Sequence, residues 1–205
     1  MVEEFDTLVL FYSPRFFSGI FYERNVLHMS KKNVRTLVKI GVLSAIAYLL
    51  QFLGSVIGIN VGGFLTVEIS DLPALIGCFA LGPVAGVVIE LIKNILHCPI
   101  TSTGFVGELA NFTINGLFVL TAGLIYKYNR TLKGAIWGML VGTLVMTVCA
   151  MLINLYVMLP MYMGGADFAT RLNIVLYTIT PFNFVRGLVL SALTFVLYKR
   201  LRPIL

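Results

Sequence analysis

Basic residues in this sequence gather at the ends of long apolar runs, and that arrangement limits the fold more than any other feature. Lys31, Lys32, Arg35 and Lys39 open the first run, Lys127, Arg130 and Lys133 separate two later ones, and Lys199, Arg200 and Arg202 close the last. A helix of about 20 apolar residues spans a bilayer, and Lys and Arg collect in cytoplasmic loops. With 59% hydrophobic and only 12% charged residues, the chain is expected to be an all-α integral membrane protein. The formal charge of +6 then marks membrane topology, not an affinity for nucleic acid.

Residues 1–28 do not fit that pattern. They mix Glu3, Glu4, Asp6, Arg15, Glu23 and Arg24 with aromatics, and they lack the basic start and unbroken apolar core of a signal peptide. Met29-Ser30-Lys31-Lys32 resembles a natural beginning, so 1–28 is expected to be an N-terminal extension, non-native or disordered. The other reading is a short amphipathic helix lying on the membrane. Residues 29–205 are expected to form one six-helix membrane domain.

The first span is expected over about Val34–Gly54. Gly41 and Ala45, one turn apart and flanked by Ser44 and Ala47, give it a small-residue face that permits close helix approach. That face serves either a partner subunit or packing inside the bundle. An outer loop, Gly54–Ser70, follows; its Phe64–Ile69 portion alternates as a short strand would.

Asp71–His97 is too long for one ordinary span and is broken at Leu81-Gly82-Pro83, which predicts two helices joined by a tight cytoplasmic turn. Asp71 is expected to cap the first, with Pro73 in its first turn. Glu90, Lys93 and Asn94 share one side of the second, where they make either an internal ion pair or a ligand contact. A fourth span, about Phe105–Tyr126, carries Glu108, Asn111 and Asn115 on one face. A fifth, about Gly134–Leu159, starts with Gly134, Gly138 and Gly142, a close-packing ridge. An outer loop, Met161–Tyr177, leads to a last span over about Thr178–Tyr198. Both termini are then cytoplasmic, and Glu68, Asp71, Glu90, Glu108 and Asp167 fall in the outer half or the outer loops.

No phosphate-binding GxxxxGK[ST] loop, HExxH or GxSxG occurs. Cys78, Cys98 and Cys149 have no paired spacing. No catalytic residue, metal or cofactor is predicted, and a small membrane enzyme is kept only as an alternative. What remains is a pocket open to the outside. Its expected walls are Thr66, Glu68, Ser102, Thr103, Glu108, Asn111, Asn154, Tyr156, Asn183 and Arg186, with Phe64 and Tyr162 as apolar or stacking surfaces. Amides and hydroxyls set in an apolar cavity suit a neutral heteroaromatic or polyol ligand. The inner halves of the helices are almost wholly apolar, which argues against a passive channel.

Several ordered strings add a resemblance. Glu68-Ile-Ser-Asp71-Leu-Pro-Ala-Leu-Ile-Gly77, Gly82-Pro83-Val-Ala-Gly86, Glu90-Leu-Ile-Lys93-Asn94-Ile-Leu-His97 and Val106-Gly-Glu108-Leu-Ala-Asn111 are the first four. Asn154-Leu-Tyr156-Val-Met-Leu-Pro160-Met-Tyr162 and Pro181-Phe-Asn183-Phe-Val-Arg186-Gly187 extend them. Together, over about Met29–Arg202, they resemble the S components of energy-coupling factor (ECF) transporters, and among these the riboflavin-specific group.

The resemblance implies a six-helix bundle in the bacterial cell membrane that captures riboflavin or its phosphate FMN, without an ATPase site of its own. Another vitamin or precursor is the alternative ligand. A membrane scaffold (the T component) and two cytosolic ATPases are the implied partners, with Gly41 and Ala45 at the scaffold contact. Phe64, Thr66, Ser102, Thr103 and Asn154 are the implied ligand contacts. Arg186 stands where relatives often have Lys, and its planar fork alters the donor geometry there.

Overall fold

The computed structural model describes residues 31–57, 60–61, 65–66, 69–101 and 104–201. Six helices follow the predicted order: α1 Lys31–Ile57, α2 Leu72–Leu81, α3 Pro83–His97, α4 Gly104–Tyr128, α5 Leu132–Tyr162 and α6 over 168–201. Asn33–Val56, Phe105–Tyr128, Leu132–Tyr162 and Phe168–Tyr198 are long and apolar enough to cross a membrane, and α2 is a shorter apolar helix. Two-residue strands β1 (Asn60–Val61) and β2 (Leu65–Thr66) pair antiparallel, with Asn60 opposite Thr66. The expectations for 1–28, Phe64, Glu68, Ser102 and Thr103 lie outside the described residues.

The break between α2 and α3 falls where the sequence places it. Gly82 adopts φ +111°, and its N–H closes α2 on the Cys78 carbonyl at 2.9 Å. Nothing lies within 4 Å of where a Cβ would stand, so glycine is needed there for conformation and not for space. Pro83, which has no N–H to leave unbonded, then starts α3.

The core joins Ala47 of α1 with Ala74 and Leu75 of α2, Ile89 of α3, Phe118 and Ala122 of α4, Met139 and Met146 of α5, and Leu190 of α6. The α5 glycines do close-pack. A Cβ on Gly138 would stand 2.7 Å from the Ala122 carbonyl oxygen, and one on Gly142 would stand 2.9 Å from that of Phe118.

One expectation is corrected. The outer loop predicted as Met161–Tyr177 is much shorter, because α5 runs to Tyr162 and α6 begins at Phe168. Proline does not end either helix. Each has a π turn just ahead of its proline, Asn154–Met158 before Pro160 and Val175–Ile179 before Pro181. A widened turn takes up the proline ring and its missing N–H, so the helix continues.

Candidate binding site

Buried charge is concentrated where α2, α3 and α6 meet. Lys93 Nζ lies 2.5 Å from Asp71 Oδ1 and 2.7 Å from Glu90 Oε2, and all three side chains are fully buried. Arg186 of α6 donates from Nη2 to Asp71 Oδ2 at 2.6 Å and is 11% exposed. Ser70 Oγ accepts weakly from Lys93 at 3.4 Å. The cluster thus balances two cations against two carboxylates, which is the condition for charge to be tolerated in an apolar interior.

This changes the expectation for Asp71 and gives Arg186 a buried partner. Asp71 stands at the N-cap position of α2, but its side chain makes no capping bond. Its carboxylate is held by Lys93 and Arg186 instead, because two cationic partners offset the burial of a carboxylate better than one backbone N–H does. Arg186, expected to face ligand, is anchored on Asp71 across the bundle. The two readings of the Glu90–Lys93 pair resolve to the internal ion pair.

A second network pins α1. Gln51 Nε2 donates to Glu108 Oε2 at 3.1 Å, His97 Nδ1 meets Glu108 Oε1 at 2.9 Å, and Ser55 Oγ lies 3.2 Å from His97 Nε2. Both Glu108 oxygens are therefore engaged inside the bundle. The His97–Glu108 contact also sets the antiparallel register of α3 and α4. Counting back along α3 and forward along α4 brings Asn94 level with Asn111, and Glu90 level with Asn115. Asn115 Nδ2 donates to Asn111 Oδ1 at 2.7 Å. The carbonyl oxygens of Gln51, Asn94 and Asn115 are buried without a donor, an unusual concentration for a folded protein.

The remaining predicted residues sit beside the π turns. Leu155 and Leu159 of α5 pack on Val175 and Ile179 of α6, so the two widened turns face each other. Asn154 opens one of these turns; Asn183 follows the other by one helical turn. Each donates its amide to the carbonyl four residues back, Ala150 at 2.8 Å and Ile179 at 2.9 Å. That leaves each carbonyl Oδ1 as an acceptor. Tyr156, expected as a pocket wall, is 66% exposed. Residues two apart on a helix point to opposite sides, so Asn154 and Tyr156 cannot both face inward. Tyr162 is 53% exposed. Residues α1 contributes, Gln51 and Ser55, were not anticipated by sequence; nor were the π turns, whose signal is the matched spacing to Pro160 and Pro181. An apolar groove of about 610 Å³ between α4 and α5, lined by Thr113, Leu117, Leu144, Val148, Leu152 and neighbours, includes none of the predicted site residues.

A broken hairpin between α1 and α4 is braced by buried ion pairs. Residues 35–198 match the family described as "ECF transporter, substrate-specific component". The chain belongs to this family. As an S component it is a multi-pass cell-membrane protein and a transporter subunit, not an enzyme, and it works with the scaffold and ATPase subunits of an ECF transporter. It is 38% identical over 182 residues to "Riboflavin transporter RibU" of Staphylococcus aureus (strain TCH60), spanning 87% of this chain and 95% of that protein. It is 31% identical over 179 residues to "Riboflavin transporter FmnP" of Bacillus subtilis (strain 168), spanning 83% and 93%. A solved S component of a bacterial ECF transporter aligns with a TM-score of 0.71 at 36% identity, covering 83% of this chain and 96% of that one. ThiT from Listeria monocytogenes aligns with a TM-score of 0.52 at 18% identity, covering 80% and 95%, a likeness of fold alone.

Proposed function

We propose that this S component captures riboflavin at the outer face of the cell membrane, with both termini in the cytoplasm, for ATP-driven uptake. The observation that carries the reading is the likeness, along almost the whole chain, to proteins named riboflavin transporters. The geometry supports it. Asn154 and Asn183 offer amide acceptors close to the paired π turns, where irregular helix often serves function. Such groups match the ring N–H and ribityl hydroxyls of a flavin. Arg186, held in place by Asp71, is the cationic donor for a ring carbonyl or ribityl oxygen. Phe64, Thr66, Glu68, Ser102 and Thr103 form the rim of the site in this reading. Glu108 and Asn111 support it from α4, and Tyr156 belongs to the membrane interface.

The charge balance of the cluster favours a neutral ligand. FMN would add a phosphate carrying roughly −1.5 to −2 charge, while Lys93 and Arg186 are already engaged by Asp71 and Glu90, so riboflavin is proposed as the preferred form. Gly41 and Ala45 are both exposed on α1, and nothing lies within 4 Å of a Cβ on Gly41; this face is proposed to meet the scaffold, with two cytosolic ATPases supplying energy. Protein purified from riboflavin-fed cells should be yellow, with a flavin absorbance spectrum. Colourless protein that also ignores added riboflavin contradicts the proposal.

A further inference from the structure

The end of the bundle away from the polar cluster holds a cavity of about 370 Å³ between the α2–α3 turn and the last turns of α4. Its lining is mixed, with apolar Phe79, Leu81, Pro83 and Val84 beside Tyr126, while Lys127 and Arg130 add positive charge. That volume falls within the roughly 300–1,000 Å³ of small-molecule sites. Its two cations lack a counter-charge. Four carboxylates are described, and none is near: Asp71 and Glu90 belong to the cluster with Lys93 and Arg186, Glu108 holds His97, and Asp167 precedes α6 at the opposite end. Among the described residues, neither Lys127 nor Arg130 makes an ion pair.

The level of the cavity narrows the ligand. The apolar span of α4 ends at Tyr128, so Lys127 and Arg130 stand where hydrocarbon gives way to headgroups. Here a phosphate monoanion or diester can meet both cations while an attached chain continues along apolar helix surface. Basic pockets between helices at this depth suit anionic lipid headgroups, and Arg and Lys recognise phosphate by fork and by point charge respectively.

We propose that this cavity is a phosphate site for the headgroup of an anionic phospholipid, anchoring the α2–α3 turn and the end of α4 at the membrane surface. It lies apart from the riboflavin site and does not depend on it.

The test is a thermal unfolding series on the full-length protein in neutral detergent, with added phosphatidylglycerol, phosphatidylcholine or inorganic phosphate. Phosphatidylglycerol should raise the midpoint by roughly 5 °C at saturation, and phosphatidylcholine should not. The double variant Lys127→Gln/Arg130→Gln should lose most of that rise, while Lys127→Arg/Arg130→Lys keeps it. Added salt should shrink the rise, since exposed charges are screened. Riboflavin binding by both variants should match the parent, which also shows that they are folded. An equal rise with the zwitterionic lipid, or an undiminished one in the double glutamine variant, overturns the site. Inorganic phosphate that stabilises as well as phosphatidylglycerol at the same concentration overturns its assignment to lipid.

Discussion

Two polar networks brace this bundle, and they work under different constraints. Asp71, Glu90, Lys93 and Arg186 bring full charges into the interior and join α2, α3 and α6. Gln51, Ser55, His97 and Glu108 join α1 to α3 and α4, and the two members on α1, Gln51 and Ser55, carry no charge. The first network ties α6 to the two short helices, α2 and α3, already packed through Ala74, Leu75 and Ile89. The second fastens a helix whose apolar span is only 17% buried. Charge is therefore placed where it is enclosed on every side, and weaker hydrogen bonds where one element must be held to the rest.

Breaking the enclosed network should have the largest effect. Asp71→Ala leaves Lys93 and Arg186 without their shared carboxylate, and a buried pair deprived of one partner costs about 3–5 kcal/mol. Thermal unfolding of the purified protein should show it, and Asp71→Asn combined with Arg186→Met should recover part of the loss. If Asp71→Ala is no more harmful than a substitution in the second network, the contrast between them fails.

A smaller effect is expected from Glu108→Ala, which strands Gln51 and His97 at about 1–3 kcal/mol. Its signature should be local, with faster hydrogen exchange along α1 than along α4 and α5. Uniform acceleration across the bundle would mean that Glu108 supports the core generally. Next comes Asn154→Ala, expected to weaken riboflavin binding by more than about 1 kcal/mol, roughly fivefold or more, with little change in unfolding. An unchanged affinity removes Asn154 from the site. Least of all, Gly41→Leu should leave stability and riboflavin binding as they are, because its Cβ meets nothing within 4 Å. It should instead reduce co-purification with the scaffold subunit; normal assembly would return this face to the lipid.

The bundle was legible because its signals are local. Apolar length gave the spans, Gly82-Pro83 gave the α2–α3 break, and the four-residue glycine step gave a close-packing ridge, which the structure sets against Phe118 and Ala122 of α4. The start of α6 was not, because Gly164, Gly165, Asp167 and Arg171 read as outer loop as far as Tyr177, whereas helix runs from Phe168. Partners were harder still. Spacing put Glu90 beside Lys93, but nothing local says that Asp71 meets Arg186 from 115 residues away. Nor does spacing say that Glu108 is held by Gln51 from α1. Asn154 and Tyr156 show the same limit at short range, since a polar pair in sequence became one inward and one outward residue.

The most direct test of the riboflavin assignment is a fluorescence titration of the isolated, ligand-stripped protein with riboflavin. The account predicts saturable quenching that ends at one riboflavin per chain, competed weakly by FMN and lessened by Asn154→Ala. Riboflavin fluorescence that stays constant through the addition of folded protein would contradict it.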